Sequence, residues 1–152
     1  MTDALEGLDV IVVDDEPVVC DAVSEIVRSF YSWGQVHAFT DADEAISFCL
    51  RRQTGVAIFI LDVFMGEQTG FSFLDRIEEQ FPMAPEDAII MTGYASDEVV
   101  NMCIASDINH LLEKPIRPYA LQLAVRAIVS KYVKFAKRIL KDPAFAEYAA
   151  GF

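Results

Sequence analysis

Much of what would define other protein classes is missing from this chain. Its three cysteines, Cys20, Cys49 and Cys103, are odd in number and far apart, and no Cys-x-x-Cys pair occurs. Scattered thiols inside helical patterns read as small buried side chains in a reducing compartment, which excludes a disulfide scaffold and a zinc site. Only two histidines are present, and His37 has no second His or Cys at ligand spacing, so it reads as an ordinary surface residue. Basic residues are scarce, 12 Lys and Arg against 24 Asp and Glu, a net charge of −12. Residues 1–125 carry 22 acidic and 6 basic groups, so this part of the chain is expected to repel nucleic acid. No apolar run approaches a membrane span, and Met1 to Glu6 lack the basic and apolar regions of a signal peptide. The expectation is a cytoplasmic protein with no membrane partner. A glycine-rich nucleotide loop, a helix-turn-helix pattern and a second domain are lacking as well.

What remains is a chain of 152 residues, 53% hydrophobic, enough for one domain with a full core. The run Val56 to Leu61 is apolar without alternation and ends on Asp62. Such a run, with helical patterns on either side, predicts a parallel strand covered on both faces. Val10 to Val13 runs into Asp14 and Asp15 in the same way, Ala88 to Met91 into Thr92 and Gly93, and Ile108 to Leu112 into Glu113, Lys114 and Pro115. If the strands are parallel, one sheet edge collects Asp14, Asp15, Asp62, Thr92 and Lys114, on the side where open α/β sheets bind ligands. Crowded carboxylates repel one another unless a cation neutralises them, and an all-oxygen cluster suits Mg²⁺. A lysine and a hydroxyl beside them complete a cradle for a phosphoryl group. Each pair taken alone is commonly structural, a helix cap or a turn; their joint placement after successive strands carries the argument.

These residues closely resemble the receiver domain of two-component response regulators. The match covers roughly Leu8 to Val129, with 30 residues from Asp62 to Thr92 and 52 from Asp62 to Lys114, as in that family. The resemblance implies a flavodoxin-like α/β three-layer sandwich: a five-stranded parallel sheet in the order 2-1-3-4-5 with five helices. It also implies that Asp62 accepts a phosphoryl group from a sensor histidine kinase or phosphotransfer protein. Asp14, Asp15, Asp62 and the Phe64 carbonyl would hold Mg²⁺, Lys114 and Thr92 would contact the phosphoryl oxygens, and Gly93 would leave room for that group. The chain would be a signalling module acting on a downstream protein or as a homodimer, and not an enzyme in the ordinary sense.

Three features depart from the family pattern or extend it. Gly66 stands where many members have proline, implying a looser loop after Asp62. Leu111 stands where many hold an aromatic switch residue, leaving Tyr94 or His110 as substitutes, or a switch through Thr92 alone. The apolar stripe of the last helix, Leu121, Val125, Ile128, Tyr132, Phe135 or Ala136, and Ile139, continues past the usual end, interleaved with Arg126, Lys131, Lys134, Lys137, Arg138 and Lys141. This divides the chain into a receiver over 1–129 and a helical extension over 130–152, with Asp142 and Pro143 as a stop before an apolar end, Ala144 to Phe152. Residues 126–152 carry 6 basic and 2 acidic groups, so the extension reads as a solvated basic face, a dimerising stripe, a hinge or a surface for an acidic partner. The alternatives are a receiver of a larger regulator whose output domain is elsewhere, and a constitutive pseudo-receiver. A phosphatase with an aspartyl nucleophile would have a second carboxylate two residues on, where this chain has Phe64.

Overall fold

The computed structural model describes residues 7–150; Met1 to Glu6 at the start of the expected receiver, and the last two residues of the expected extension, lie outside. Strands β1 (Val10–Val13), β2 (Val36–Phe39), β3 (Ile58–Asp62), β6 (Ala88–Thr92) and β7 (His110–Glu113) form a five-stranded sheet in the order β2-β1-β3-β6-β7. Every pairing in it is parallel. Counting these strands alone, the order is the expected 2-1-3-4-5. Every residue of β1, β3 and β6 is buried, while the edge strands β2 and β7 are half-exposed. Strands covered on both faces have no polar side to show, which is why their sequences do not alternate.

Helices α1 (Pro17–Phe30) and α5 (Pro118–Lys141) cover one face, and α2 (Ala42–Leu50), α3 (Gly70–Ile77) and α4 (Asp97–Ala105) the other. Alternate residues of one strand feed the two cores. Phe59 and Leu61 meet Phe73, Ile77 and Phe81 on the α3 side, while Ile58 and Ile60 meet Val23, Val27, Leu121 and Val125 on the α1 side. Each such side chain contributes about 1.5–3 kcal/mol by leaving water. Phe59 makes edge contacts with both Phe73 and Phe81. Cys20, Cys49 and Cys103 are free and buried.

Caps fix where the helices start. Ser96 Oγ accepts the Val99 N–H, and Thr69 and Ser72 close a reciprocal capping box at α3. At α2, Asp41 accepts the Asp43 N–H as a single side-chain cap.

Two segments differ from expectation. The loop after Asp62 is a tight hairpin of β4 (Phe64–Met65) and β5 (Gln68–Thr69), with Phe64 opposite Thr69 and Met65 opposite Gln68. Gly66 turns it with φ +68°, a conformation closed to proline, whose ring holds φ near −65°. Glycine is therefore a residue this turn can accept where proline could not stand. At the other end, Asp142 ends α5 and also starts α6 (Pro143–Ala149), accepting the Phe145 N–H through its side chain with Pro143 in the first turn. The stop is thus a corner between two helices. It is held by an edge contact of Phe135 with Phe145 and by the Arg138 guanidinium lying 3.9 Å from the Phe145 ring centre.

Helix α5 is tied to the sheet at its middle. Asp87, buried just before β6, accepts hydrogen bonds from Lys131 Nζ and the Tyr132 hydroxyl. Its own N–H goes to the Met83 and Ala84 carbonyls.

Candidate functional site

Parallel strands put their carboxyl ends on one edge, and the residues singled out above converge there. Asp62 ends β3 and Thr92 ends β6, while Asp14 and Lys114 directly follow β1 and β7. Lys114 Nζ bridges the two inner carboxylates, 2.8 Å from Asp14 Oδ2 and 3.2 Å from Asp62 Oδ1. The other oxygen of Asp14 accepts the Glu16 N–H at 2.9 Å, at the start of α1, whose cap residue offers no side-chain bond. One fully buried carboxylate thus ties α1 to the end of β7. Asp15 is exposed at the rim, and carboxylate oxygens of Asp14, Asp15 and Asp62 all lie within 4.8 Å of one another.

The electrostatics follow from this crowding. Burial pushes the Asp62 carboxyl up, and the Asp14 charge adds to the push, against the pull of Lys114. Burial alone would lower the Lys114 ammonium, but the hydrogen bond to Asp14 and the charge of Asp62 raise it overall. One lysine does not neutralise three carboxylates. The cluster offers hard oxygen donors at a spacing one small cation can bridge, so its residues fit Mg²⁺.

Thr92 is buried, and its hydroxyl is engaged with its own loop: Oγ1 donates to the Tyr94 carbonyl at 3.0 Å and accepts the Tyr94 N–H at 3.2 Å. The Lys114 N–H donates to the Thr92 carbonyl at 2.7 Å, and the peptide joining Lys114 to Pro115 is cis. A Cβ at Gly93 would meet nothing within 4 Å, so the backbone there opens on free space. Gly70 is the opposite case, since a Cβ would stand 2.9 Å from the Asp62 carbonyl and 3.1 Å from Ile90 Cδ1.

Phe64 and Tyr94 flank the edge and are 67% and 74% exposed. Leu111 is half-buried on β7 and packs against the core under α2, α3 and α4. His110 is drawn elsewhere, since burial lowers its pKa, nearby Lys131 adds to the effect and Asp87 opposes it. It belongs to the Asp87 corner at the opposite end of the sheet, which removes it as a substitute switch beside Thr92. His37 is half-buried and bonds Asp9 Oδ2 at 3.2 Å, a carboxylate shared with Arg52 at 2.6 Å. It is a structural partner.

Sequence reasoning missed Glu113. Its Oε2 accepts the Ala95 N–H at 2.8 Å, bridging β7 to the loop that holds Thr92. The only signal was its place directly before Lys114.

Comparison with known proteins agrees with this geometry. The family described as Response regulator receiver domain matches residues 10–126. An uncharacterized 14.6 kDa protein of Leptolyngbya boryana, from the sodA1 3' region, is 30% identical over 117 residues, covering 77% of this chain and 86% of that protein. Two-component response regulator ORR5 of Oryza sativa subsp. japonica is 28% identical over 109 residues, covering 72% and 79%. Among solved structures, a CheY-like receiver domain protein from Methanospirillum hungatei superposes with a TM-score of 0.71 at 19% identity, covering 84% of this chain and 98% of that one. The beryllofluoride-activated NtrC4 receiver domain dimer superposes with a TM-score of 0.70 at 25% identity, covering 82% and 98%. With the acidic edge, the bridging lysine and the strand order in place, this chain belongs to the response regulator receiver domain family.

Proposed function

We propose that the chain is a phosphorylation-switched receiver in which Asp62 is the phosphoacceptor. The observation that carries the reading is Lys114 Nζ held 2.8 and 3.2 Å from the carboxylates of Asp14 and Asp62 at the carboxyl edge of a parallel sheet. A carboxylate oxygen of Asp62 attacks the phosphorus of a phosphohistidine; the P–N bond breaks and its electron pair leaves with the imidazole. Asp14, Asp15, Asp62 and the Phe64 carbonyl hold Mg²⁺, which when bound neutralises charge gathering on the phosphoryl oxygens. Lys114 moves its donors from the carboxylates to those oxygens, and Thr92 supplies its hydroxyl. The gap at Gly93 gives the group entry.

The donor is a sensor histidine kinase or phosphotransfer protein, and the signal is a changed affinity for a protein partner or a second copy of the chain. In this reading residues 1–129 receive and residues 130–152 are a helical extension that contributes to output. The receiver switches a partner and catalyses no reaction on a separate substrate.

The test is intact-mass analysis after incubation with acetyl phosphate or phosphoramidate and Mg²⁺. One phosphoryl group on wild type, none on Asp62→Asn and none with a chelator is the expected result. Stoichiometric labelling of Asp62→Asn would overturn it. Light scattering with beryllofluoride, on the full chain and on a version ending at Val129, separates dimer from monomer and tests whether the extension matters.

A further inference from the structure

One peptide group beside Thr92 is gripped at both ends. The Tyr94 carbonyl accepts the Thr92 hydroxyl at 3.0 Å, and the next N–H, that of Ala95, donates to Glu113 Oε2 at 2.8 Å. Carbonyl and N–H belong to the same planar unit, so the peptide cannot turn without disturbing both bonds. The strand register places Glu113 beside Thr92, and the Lys114 N–H bond to the Thr92 carbonyl keeps it there. A hydroxyl has one proton to give. While that proton is on the Tyr94 carbonyl, it is withheld from anything bound at Asp62.

We propose that Glu113 is a positioning residue of the switch: its carboxylate clamps the Tyr94–Ala95 peptide so that the peptide's carbonyl holds the Thr92 proton, favouring the unphosphorylated state. This rests on the receiver reading above. Phosphorylation then has to draw the hydroxyl away from a fixed acceptor. Without Glu113 the peptide loses its hold at the N–H end and keeps only the Ser96 N–H bond to its carbonyl, at 3.0 Å, so the Thr92 hydroxyl meets a less firmly fixed competitor. The clamp lies on the opposite side of Thr92 from the metal-binding carboxylates. It also gives the chain a device for biasing the hydroxyl where Leu111 offers no ring to follow it, since Leu111 is aliphatic and already packed against the core.

The experiment measures two quantities on wild type, Glu113→Ala and Glu113→Gln. The first is hydrogen exchange at the Ala95 amide, followed by NMR without Mg²⁺ or mimic. The second is the beryllofluoride concentration at half-saturation with Mg²⁺ present. Glu113→Ala should speed Ala95 exchange and lower half-saturation by about fivefold, the net worth of one ordinary hydrogen bond, since Glu113 is exposed and its charge is screened by water. Glu113→Gln, whose amide oxygen still accepts the N–H, should stay within about twofold of wild type. In a Thr92→Ala background, Glu113→Ala should leave half-saturation unchanged, because the clamp acts through the hydroxyl. If wild type binds the mimic and Glu113→Ala changes neither quantity, the clamp is overturned and the receiver reading stands. If wild type itself does not bind the mimic in the presence of Mg²⁺, the receiver reading falls and the clamp with it.

Discussion

Removing the hydroxyl of Tyr132 tests how the long helix is fastened to the sheet. The Asp87 side chain is 1% exposed, and its carboxylate has two side-chain partners: the Tyr132 hydroxyl and Lys131 Nζ, whose side chain is 39% exposed. Burial raises the Tyr132 phenol, and its hydrogen bond to the Asp87 carboxylate raises it further, so the hydroxyl stays a donor across the working pH range. Tyr132→Phe keeps the ring, which packs against the α1 side of the core, and deletes only that donor. Hydrogen bonds to charged groups contribute about 1.5–3 kcal/mol, and the lysine remains as counter-charge, so the expected loss is about 2 kcal/mol. Lys131→Met removes the counter-charge instead; water screens this partly exposed lysine, so its loss should cost about 1–2 kcal/mol, no more than that of the tyrosine hydroxyl. Urea unfolding followed by circular dichroism measures both; with a slope of about 2 kcal/mol/M, Tyr132→Phe moves the midpoint down by about 1 M. A shift for Tyr132→Phe worth less than about 0.5 kcal/mol, the usual scatter of surface substitutions, would refute the anchor.

The other predictions concern carboxylates, glycines and Phe64. Burial would raise the Asp9 carboxyl, but the Gln35 N–H, His37 and Arg52 outweigh it and hold it below the usual range. A group lowered in the folded state stabilises above its unfolded pKa of about 3.9 and loses that contribution as pH falls through the lower folded value. Wild type and Asp9→Asn should therefore differ in urea midpoint at pH 6 and converge below about pH 4; a gap that widened on acidification would contradict this. Mg²⁺ at tenfold its dissociation constant should stabilise wild type by about 1.4 kcal/mol, and Asp14→Asn should remove most of that gain in a thermal melt. Gly70→Ala should cost about 1–3 kcal/mol, because its Cβ would press on the Asp62 carbonyl, whereas Gly93→Ala should be neutral in unfolding, so that any loss of phosphorylation in it reports access. Phe64→Asn should shorten the lifetime of the aspartyl phosphate by replacing a bulky apolar cover with a polar one; equal decay rates would show that Phe64 does not shield the acyl phosphate.

The fold was legible wherever a strand is buried on both faces. Val10 to Val13, Ile58 to Leu61 and Ala88 to Met91 are uninterrupted apolar runs because both sides meet helices, and the first polar residue after each marks the sheet edge. That is why Asp14, Asp62 and Thr92 could be placed together before any geometry was known. The hairpin after Asp62 escaped because strands of two residues carry no period, and Gly66 does not announce the sign of its φ. Asp142 and Pro143 were ambiguous for a physical reason, since the same pair ends one helix and caps the next. Asp87 and Glu113 were invisible as partners. Asp87 meets groups 44 and 45 residues away, and Glu113 meets a backbone N–H 18 residues back, neither of which leaves a local pattern.

The length of α5 beyond its fastening has a mechanical consequence. Tyr132 is the last residue of this helix bound to Asp87, and the helix continues unbroken to Lys141. At 1.5 Å per residue the stretch from Val133 to Lys141 forms an arm of roughly 13 Å, stiffened at its far end by the folded-back α6. An arm converts angle into travel: a tilt of about 6° at its base carries the tip about 1.4 Å. A partner touching Lys137 or Lys141 would therefore sense rotations of the sheet that are hard to detect at Asp62 itself.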